Sequence, residues 1–366
     1  MTGQLPGIAA MRAGLPALLP ATGPLMRAVM LALLPGTLLA AWLFGIGVLV
    51  NVVFGVCTAL IVEALALRLR GRSVQDTLSD GSAALAGWLL ALCVTPTLPA
   101  WQLMLGVLIA ILLAKHVFGG IGHNPFNPAM VGYAVLLISF PQTMNAWPAH
   151  AALPLNAAPP SPAVTLQADA PFDGEPAADW HALTGQTPLE AWRTARHQPR
   201  IDDAPLTVSD PGPLSNTPSN ASNEATVRPP GERQALLALA WLIGGLWLLR
   251  RGVIAWHIPF AVLATLSACE LVAQVSGAAT IGPLGAPFSG AAMLGAFFIA
   301  TDPVSAAATA RGRLVYGAGI GLITFAIRSA GGWPEGVAFG VLLMNGAVPM
   351  IDRLSGAPPR SADAAK

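Results

Sequence analysis

The chain has 366 residues, of which 54% are hydrophobic and only 10% are charged, and its mean hydropathy is +0.62. Soluble globular proteins average about 25% charged residues, so this composition excludes an ordinary soluble domain and predicts an all-α integral membrane protein. The formal net charge of +1 offers no basis for binding nucleic acid.

Ten apolar segments are predicted as membrane helices, five before a long polar stretch and five after it. In chain order they cover residues 28–44, 47–67, 82–94, 101–118, 129–140, 235–249, 258–275, 287–300, 314–327 and 336–350. Several are shorter than the roughly 20 residues that cross about 30 Å of hydrocarbon. Short segments beside Gly and Pro are typical of broken or re-entrant helices. The first segment has basic residues before it, as a signal peptide does, but a second apolar run follows at once, which favours a retained anchor.

Basic residues predict the orientation of these segments. Those near the segment ends fall on one side of the ten-segment arrangement: Arg68, Arg70, Arg72, Lys115, Arg250, Arg251, Arg311, Arg313 and Arg353. That side is predicted to be cytoplasmic in a bacterial inner membrane, with both chain termini there. The polar insert then lies outside the cytoplasm. Arg328 alone departs from the pattern among the short segments.

The two groups of five segments resemble each other. "SAALAGWLLALCVTP" from Ser82 matches "GAAMLGAFFIATDP" from Gly290, and Glu63 and Lys115 fall opposite Glu270 and Arg328 at nearly the same offset. Because each half has an odd number of spans, the second half must be inverted relative to the first. Chance similarity between Ala- and Leu-rich helices is the alternative. Inverted repeats with broken helices are a transporter-like architecture, with the binding site where the repeats meet.

Four regions follow from this arrangement. They are a first membrane repeat (1–140), a loop-rich extracytoplasmic insert (141–233), a second inverted repeat (234–355) and a cytoplasmic tail (356–366). Apart from one patch, the insert is rich in Pro, Ala, Ser and Asn and has too little apolar surface to fold alone.

The three cysteines, Cys57, Cys93 and Cys269, lie far apart in apolar runs. They form no Cys-x-x-Cys or Cys/His cluster, so no metal site or iron–sulfur cluster held by this chain alone is predicted. We expect packed, reduced thiols.

Two loops carry polar groups at the predicted meeting point of the repeats. "GGIGHNPFNPAMVGY" contains Asn124 and Asn127, whose amides offer donors and acceptors to the edge of a flat heterocycle or simply cap a turn. "IATDPVSAAATARGR" contains Asp302, which either caps a helix or faces a cavity as a cation ligand.

Carboxyl groups within the spans are the candidates for an ion path. Glu63 is the strongest, and Glu270 is its counterpart in the second half. An acidic side chain at membrane depth is costly unless it is used or neutralised. A buried, neutral, hydrogen-bonded carboxyl is the alternative for each.

One patch of the insert, "LTGQTPLEAWRTARH", has the pattern of an ordered helix start. Thr187 stands at the N-cap, Pro188 at the first helical position and Glu190 three residues after the cap, as in a capping box. The free N–H groups and the helix dipole there would favour an anion such as phosphate.

Three long motifs then indicate a family. "GHNPFNPAMVGYAVLLISFP", "GAAMLGAFFIATDPVSAAATARGRL" and "GGWPEGVAFGVLLMNGAVPMID" resemble the D-type membrane subunit of the Rnf (Rsx) complex, an ion-translocating ferredoxin:NAD oxidoreductase. Proteins of that type are similar to the B-type membrane subunit of the sodium-pumping NADH:quinone reductase. The resemblance covers about residues 25–355 apart from the insert.

The resemblance implies a covalent FMN, attached as a phosphoester to a Thr in a Ser-Gly-Ala-Thr-like motif before Pro-Leu. Here the motif comprises Thr184, Gly185, Gln186 and Thr187, with Thr187 as the acceptor. Gln186 stands where Ala is usual, and His181 stands where Asp often precedes the motif. The resemblance leaves open whether these two differences weaken recognition by the flavin transferase.

The resemblance also implies a non-covalent riboflavin near the Asn-Pro loop, with Asn124 and Asn127 as contacts. The function implied is that of a redox subunit, which passes electrons between flavins of flavoprotein and iron–sulfur partner subunits and couples this to ion movement. A non-redox channel or transporter for a small solute is the alternative. No strand–GxGxxG–helix unit is present, so NADH or ferredoxin must meet other subunits and this chain alone is not a complete enzyme.

Arg328 is predicted to have a functional role, because a charge in hydrocarbon costs about 2.5–3.5 kcal/mol on insertion scales. We expect it to pair with the flavin phosphate or with a carboxylate of a partner subunit. Snorkelling to lipid headgroups is the alternative.

Overall fold

The computed structural model describes residues 22–120, 122–147, 232–278, 281–330 and 335–357. All regular structure in these ranges is helical. The first half contains α1 (Thr22–Phe44), α2 (Gly47–Leu69), α3 (Val74–Leu78), α4 (Ser82–Cys93), α5 (Ala100–Ile111), α6 (Pro128–Ser139) and α7 (Pro141–Asn145). The second half contains α8 (Glu232–Arg251), α9 (His257–Val275), α10 (Ala292–Leu294), α11 (Ala310–Ala330) and α12 (Val337–Leu354).

Four helices in the described ranges are long and apolar enough to cross a bilayer: Gly23–Phe44 within α1, and α2, α9 and α12. Large apolar side chains are exposed on their outer faces, among them Trp42, Val53, Ile61 and Val272. A soluble protein rarely exposes so much contiguous apolar surface. The described part of the chain therefore has the composition and surface of a helical membrane protein.

The shortest predicted spans are short or interrupted helices. α4 and α6 have 12 residues each. Residues 286–299 form a 3₁₀ turn (Ala286–Phe288), the single turn α10 and a π-helical turn (Gly295–Ile299). The prediction of helices too short to span the membrane is confirmed for these elements. Backbone groups freed by such breaks must be satisfied inside the protein.

Glycines bring the helices within each half close together. A Cβ at Gly317 or Gly321 of α11 would lie 2.8 or 2.5 Å from the carbonyl oxygens of Ile258 and Val262 in α9. Small residues allow this close approach, which replaces hydrophobic driving force inside a bilayer. Between the halves, α1 packs on α8 and α6 packs on α12.

Some predicted boundaries shift. The segments predicted at 235–249 and 314–327 extend to Glu232–Arg251 and Ala310–Ala330. The boundary at 233/234 therefore falls inside α8. The division into two repeats and the side of the membrane on which each end lies stay predictions.

Lys115, one of the basic residues used to predict the orientation, is only 3% exposed and is held by a side chain inside the protein. One expectation about the cysteines is wrong. The thiol of Cys57 is not packed: it is exposed on the outer face of α2, where it faces the surroundings of the helix bundle. Cys93 and Cys269 are partly buried, and all three thiols are free.

Candidate functional site

A buried ion pair lies in the first half. The Nζ atom of Lys115 lies 2.8 Å from Oε1 of Glu63, and it also donates to Oγ of Ser82 at 2.8 Å. The side chains of Lys115 and Glu63 are 4% and 1% exposed. Removing two charges from water costs several kcal/mol per ion before their attraction is counted. The candidate Glu63 is therefore buried and paired with Lys115.

Lys115 reaches Glu63 because of a local change in helix geometry. α5 ends in a π-helical turn, Leu112–His116, which contains Lys115 and His116. Such turns are uncommon in proteins as a whole, but those that occur are often found at functional sites. Nε2 of His116 lies 3.1 Å from Oε2 of Glu63, but neither atom makes a hydrogen bond in the described structure. One oxygen of Glu63 is thus used by Lys115, and the other has no hydrogen-bond donor.

The second half contains a different buried pair. Arg328 is 2% exposed, and its Nη2 lies 2.9 Å from Oε1 of Glu335. The guanidinium also donates to Oγ and the carbonyl of Ser289 and to the carbonyl of Ala286. Glu335 in turn accepts from the backbone N–H of Ala291 at 2.8 Å.

The expectation that Arg328 pairs with a flavin phosphate or a partner subunit is therefore wrong. Its partner is Glu335 of the same chain, and the buried guanidinium does not snorkel to the surface. The sequence reasoning missed Glu335, although "GGWPEG" places an acidic residue directly before a membrane helix. Glu270, the counterpart of Glu63, is 1% exposed within α9.

The side chains of the Asn-Pro loop make capping hydrogen bonds to the backbone. Asn127 is the N-cap of α6, where its Oδ1 accepts from the N–H of Met130 at 3.3 Å. Its Nδ2 donates to the carbonyl of Ile299 at 3.2 Å, which ties the first half to the broken segment of the second. Nδ2 of Asn124 donates to the carbonyl of Phe126 at 3.1 Å. The capping interpretation of these side chains is confirmed.

Asp302 also makes a local turn. Its Oδ2 accepts from Oγ of Ser305 at 2.6 Å and from the N–H of Ser305 at 3.3 Å. The apolar surroundings of Asp302 raise the pKa of its carboxyl above the ordinary value, and the hydrogen bonds from Ser305 and Val304 oppose that rise.

Asn345 joins the two loops and was not singled out from the sequence. It is 1% exposed in α12. With its amide oriented to suit its neighbours, it accepts from the N–H of Asn127 at 2.9 Å and donates to the carbonyl of Ser305 at 3.3 Å and to the hydroxyl of Tyr316 at 2.6 Å. A polar residue within "LLMNGAV" was the available signal.

These groups surround one cavity, here called the Asn–Asp cavity. Its polar lining consists of Ser82, Lys115, Asn124, Asn127, Thr301 and Asp302, and its apolar walls come from α1, α4 and the segment after α8. The structure thus brings together three of the predicted site residues, Asn124, Asn127 and Asp302. It places Glu63 directly behind Lys115.

A second cavity, here called the tryptophan cavity, also lies between the halves. Its lining includes Phe44, Cys93, Tyr133, Trp147, Trp241 and Glu335. Trp147 is the last described residue in the first part of the insert, and Gln234, just after the insert, lines the cavity too. The described residues that flank 148–231 therefore lie beside this cavity. Thr184, Gly185 and Thr187 lie outside the described residues.

No group of three His, Cys, Asp or Glu side chains in the described ranges is placed to hold a metal ion. Together, the apolar outer surface, the interrupted helices and the cavities between the two halves define a helical membrane protein with buried charges at its centre.

The chain belongs to the NQR2, RnfD, RnfE family, whose model matches residues 21–358. It is 43% identical over 332 residues to the D subunit of the ion-translocating oxidoreductase complex of Alcanivorax borkumensis, covering 90% of each chain. It is 41% identical over 345 residues to the protein of the same name from Escherichia coli O9:H4 strain HS, covering 90% of this chain and 92% of that one. The family predicted from the three motifs is confirmed.

Proposed function

We propose that this chain is the flavin-bearing membrane subunit of an ion-translocating electron transport complex of a bacterial inner membrane. The observation that carries the proposal is the Asn–Asp cavity, where loops from both halves meet directly against a buried ion pair. The relatives named above, similar over about nine-tenths of their length, are subunits of such complexes. Flavoprotein and iron–sulfur subunits are the proposed partners.

The two halves are proposed to be inverted repeats. In each half, the basic residue of the fourth long segment bonds a serine at the start of the broken segment, Lys115 to Ser82 and Arg328 to Ser289. The same sequence separation divides Ser82 from Ser289 and Glu63 from Glu270. The two cavities also take equivalent walls from opposite halves, which supports a two-fold relation with one cavity toward each side.

A non-covalent riboflavin is proposed for the Asn–Asp cavity. Apolar walls with a few convergent polar groups suit a flat heterocycle. Asn127 already uses Oδ1 and one N–H in the fold, so it shapes the cavity, while Asn124 and Asp302 are placed on its rim. When bound, the flavin would supply a carrier for electrons. Lys115 would place a positive charge on the cavity wall, and the packed helices would exclude water.

A covalent FMN is proposed at Thr187, with Thr184 and Gly185 forming the recognition motif of a flavin transferase. Trp147 of the insert and Gln234 just after it line the tryptophan cavity, whose aromatic lining suits an isoalloxazine ring. Arg328 is not available to the flavin phosphate, because Glu335 and Ser289 engage it.

The covalent attachment is tested by coexpressing the complex with its flavin transferase and measuring flavin fluorescence of the denatured subunit. Thr187→Val is expected to remove the fluorescent band and the mass adduct. Thr217, another Thr followed by Pro in the same insert, supplies the matched control. Thr217→Val is expected to retain full labelling. An adduct that survives Thr187→Val would refute the assignment and leave a solute channel as the better description.

The riboflavin site is tested with the double variant Asn124→Ala/Asn127→Ala. We expect loss of non-covalent riboflavin from the purified complex while the Thr187 adduct is unchanged. The matched control is Asn145→Ala, which alters an amide at the tryptophan cavity instead. Normal riboflavin content in the double variant would mean that the Asn-Pro loop is only a structural turn.

A further inference from the structure

The Glu63 carboxylate is the most constrained acidic group of the first half. It is 1% exposed in the C-terminal part of α2, among apolar residues of that helix. Oε1 binds the Lys115 ammonium, and Oε2 lies 3.1 Å from Nε2 of His116 without a hydrogen bond between them. A structural ion pair at this depth is stabilised when its remaining lone pairs are satisfied. Glu63 departs from that arrangement.

The Lys115 ammonium is bound as a monovalent cation would be. It contacts two oxygens, Oε1 of Glu63 and Oγ of Ser82, each at 2.8 Å. A carboxylate and a hydroxyl are hard oxygen ligands of the kind that alkali and alkaline-earth cations prefer.

The Asn–Asp cavity offers the Lys115 side chain a second position. The Lys115 side chain lines this cavity, which contains the carboxyl group of Asp302 on the opposite loop. The π-helical turn that carries Lys115 is a helix irregularity that a small change of register can remove. A lysine that leaves Glu63 therefore enters a cavity lined by the carboxyl group of Asp302 rather than hydrocarbon.

We infer that Glu63 and Ser82 form a binding site for an alkali-metal cation, and that Lys115 is a tethered competitor which occupies the site until the cation displaces it toward the Asn–Asp cavity. This inference rests on the proposed ion-translocating function and adds its cation ligands and its gating residue. It explains why an acidic residue on the ion path is paired with a lysine of the same chain. Displacement keeps the buried charge balanced, since one cation replaces another beside Glu63.

The Glu335–Arg328 pair of the second half differs from the Glu63–Lys115 pair. Glu335 accepts from the N–H groups of Ala291, Gly336 and Val337 in addition to Arg328. Its carboxylate remains stabilised when the guanidinium is removed. It is therefore a structural anion, and no cation is expected to replace Arg328.

The test measures modification of Glu63 by N,N′-dicyclohexylcarbodiimide, which reacts with protonated carboxyl groups in apolar surroundings. The purified complete complex is treated in NaCl or in choline chloride, and the adduct is quantified by peptide mass spectrometry. In the wild type, Lys115 occupies the Glu63 carboxylate and labelling is low in both salts. In Lys115→Gln, labelling in choline chloride is expected to rise at least tenfold, and NaCl is expected to suppress it at least fivefold.

Two further variants make the result specific. Adding Ser82→Ala to Lys115→Gln removes the second oxygen, so about tenfold more NaCl is expected for the same protection. In Arg328→Gln, any labelling of Glu335 is expected to be equal in the two salts. If Lys115→Gln fails to assemble, Lys115→Met keeps the apolar stem and is assayed in the same way.

Equal labelling of Glu63 in NaCl, KCl and choline chloride in the lysine variants would overturn the inference and leave a fixed ion pair. Protection that is unaffected by Ser82→Ala would overturn the assignment of Ser82. Flavin content is measured on the same samples. Cation protection without flavin would overturn the flavin proposal alone, whereas flavin without cation protection would overturn this inference alone.

Discussion

Both halves of the molecule bury a basic side chain among apolar helices, but they stabilise its charge in different ways. In the first half, Lys115 is held by one carboxylate oxygen and one hydroxyl. In the second half, Arg328 is held by the carboxylate of Glu335, the hydroxyl and carbonyl of Ser289 and the carbonyl of Ala286. A planar guanidinium can serve several acceptors in fixed directions, whereas an ammonium acts as a compact charge. The comparison teaches that the second pair is a fixed structural unit and the first is exchangeable.

The largest effect is expected from removing the guanidinium. Arg328→Met leaves Glu335 partly uncompensated and frees the acceptors of Ser289 and Ala286, so a destabilisation of about 3–5 kcal/mol is expected. The thermal unfolding midpoint and the yield of assembled complex measure it. Arg353→Met, at an exposed position, is the control and should change neither. A wild-type midpoint for Arg328→Met would mean that the two halves do not differ as described.

A pair of double variants sharpens the comparison further. Lys115→Met alone is expected to cost about 3 kcal/mol, and Lys115→Met/Glu63→Leu to recover most of that loss, because well-packed apolar groups replace a buried ion pair at little cost. Arg328→Met/Glu335→Leu should not recover, since the backbone N–H of Ala291 loses its acceptor. The measurement is the same unfolding midpoint. Equal recovery in both halves would contradict the distinction.

The smallest effect is expected at the two serines. Ser82→Ala and Ser289→Ala each remove a hydrogen bond to a buried cation, and a loss of about 1.5–3 kcal/mol is the general range for bonds to charged groups. Because Arg328 keeps its other acceptors, Ser289→Ala should fall at the low end of that range and Ser82→Ala at the high end. Ser276→Ala, which removes an exposed hydroxyl bonded only to its own helix, is the control. The reverse order of the two unfolding midpoints would argue against an exchangeable first pair.

Much of the fold could be predicted from the sequence because a long run of apolar residues indicates a helix that crosses a bilayer. The helices of the described ranges, short and interrupted ones included, were visible as apolar runs between Gly and Pro. The caps were also predictable: Asn127 before Pro128 is an N-cap by residue type and position, and the structure gives it that role. The shifts at Glu232 and Ala310 are the usual uncertainty of helix ends, where polar residues continue a helix beyond its apolar part.

The partners of the buried charges could not be predicted in the same way. Lys115 follows an apolar run near a loop, as a surface charge does, and only the π-helical turn and the packing of α5 against α2 direct it at Glu63. Arg328 and Glu335 are separated by a Gly-Gly-Trp-Pro stretch, and nothing in residue type shows that the chain returns to join them.

The sequence by itself determined the membrane class, the order of the helices and the family. Those properties depend on local composition and on motifs that are contiguous along the chain. The tertiary structure alone decided that the Asn-Pro and Asp-Pro loops line one cavity, that Asn345 joins them, and that Lys115 and Arg328 lie in unequal surroundings. These outcomes depend on contacts between residues far apart in sequence, and for buried charges the free energy depends on which few oxygens those contacts supply.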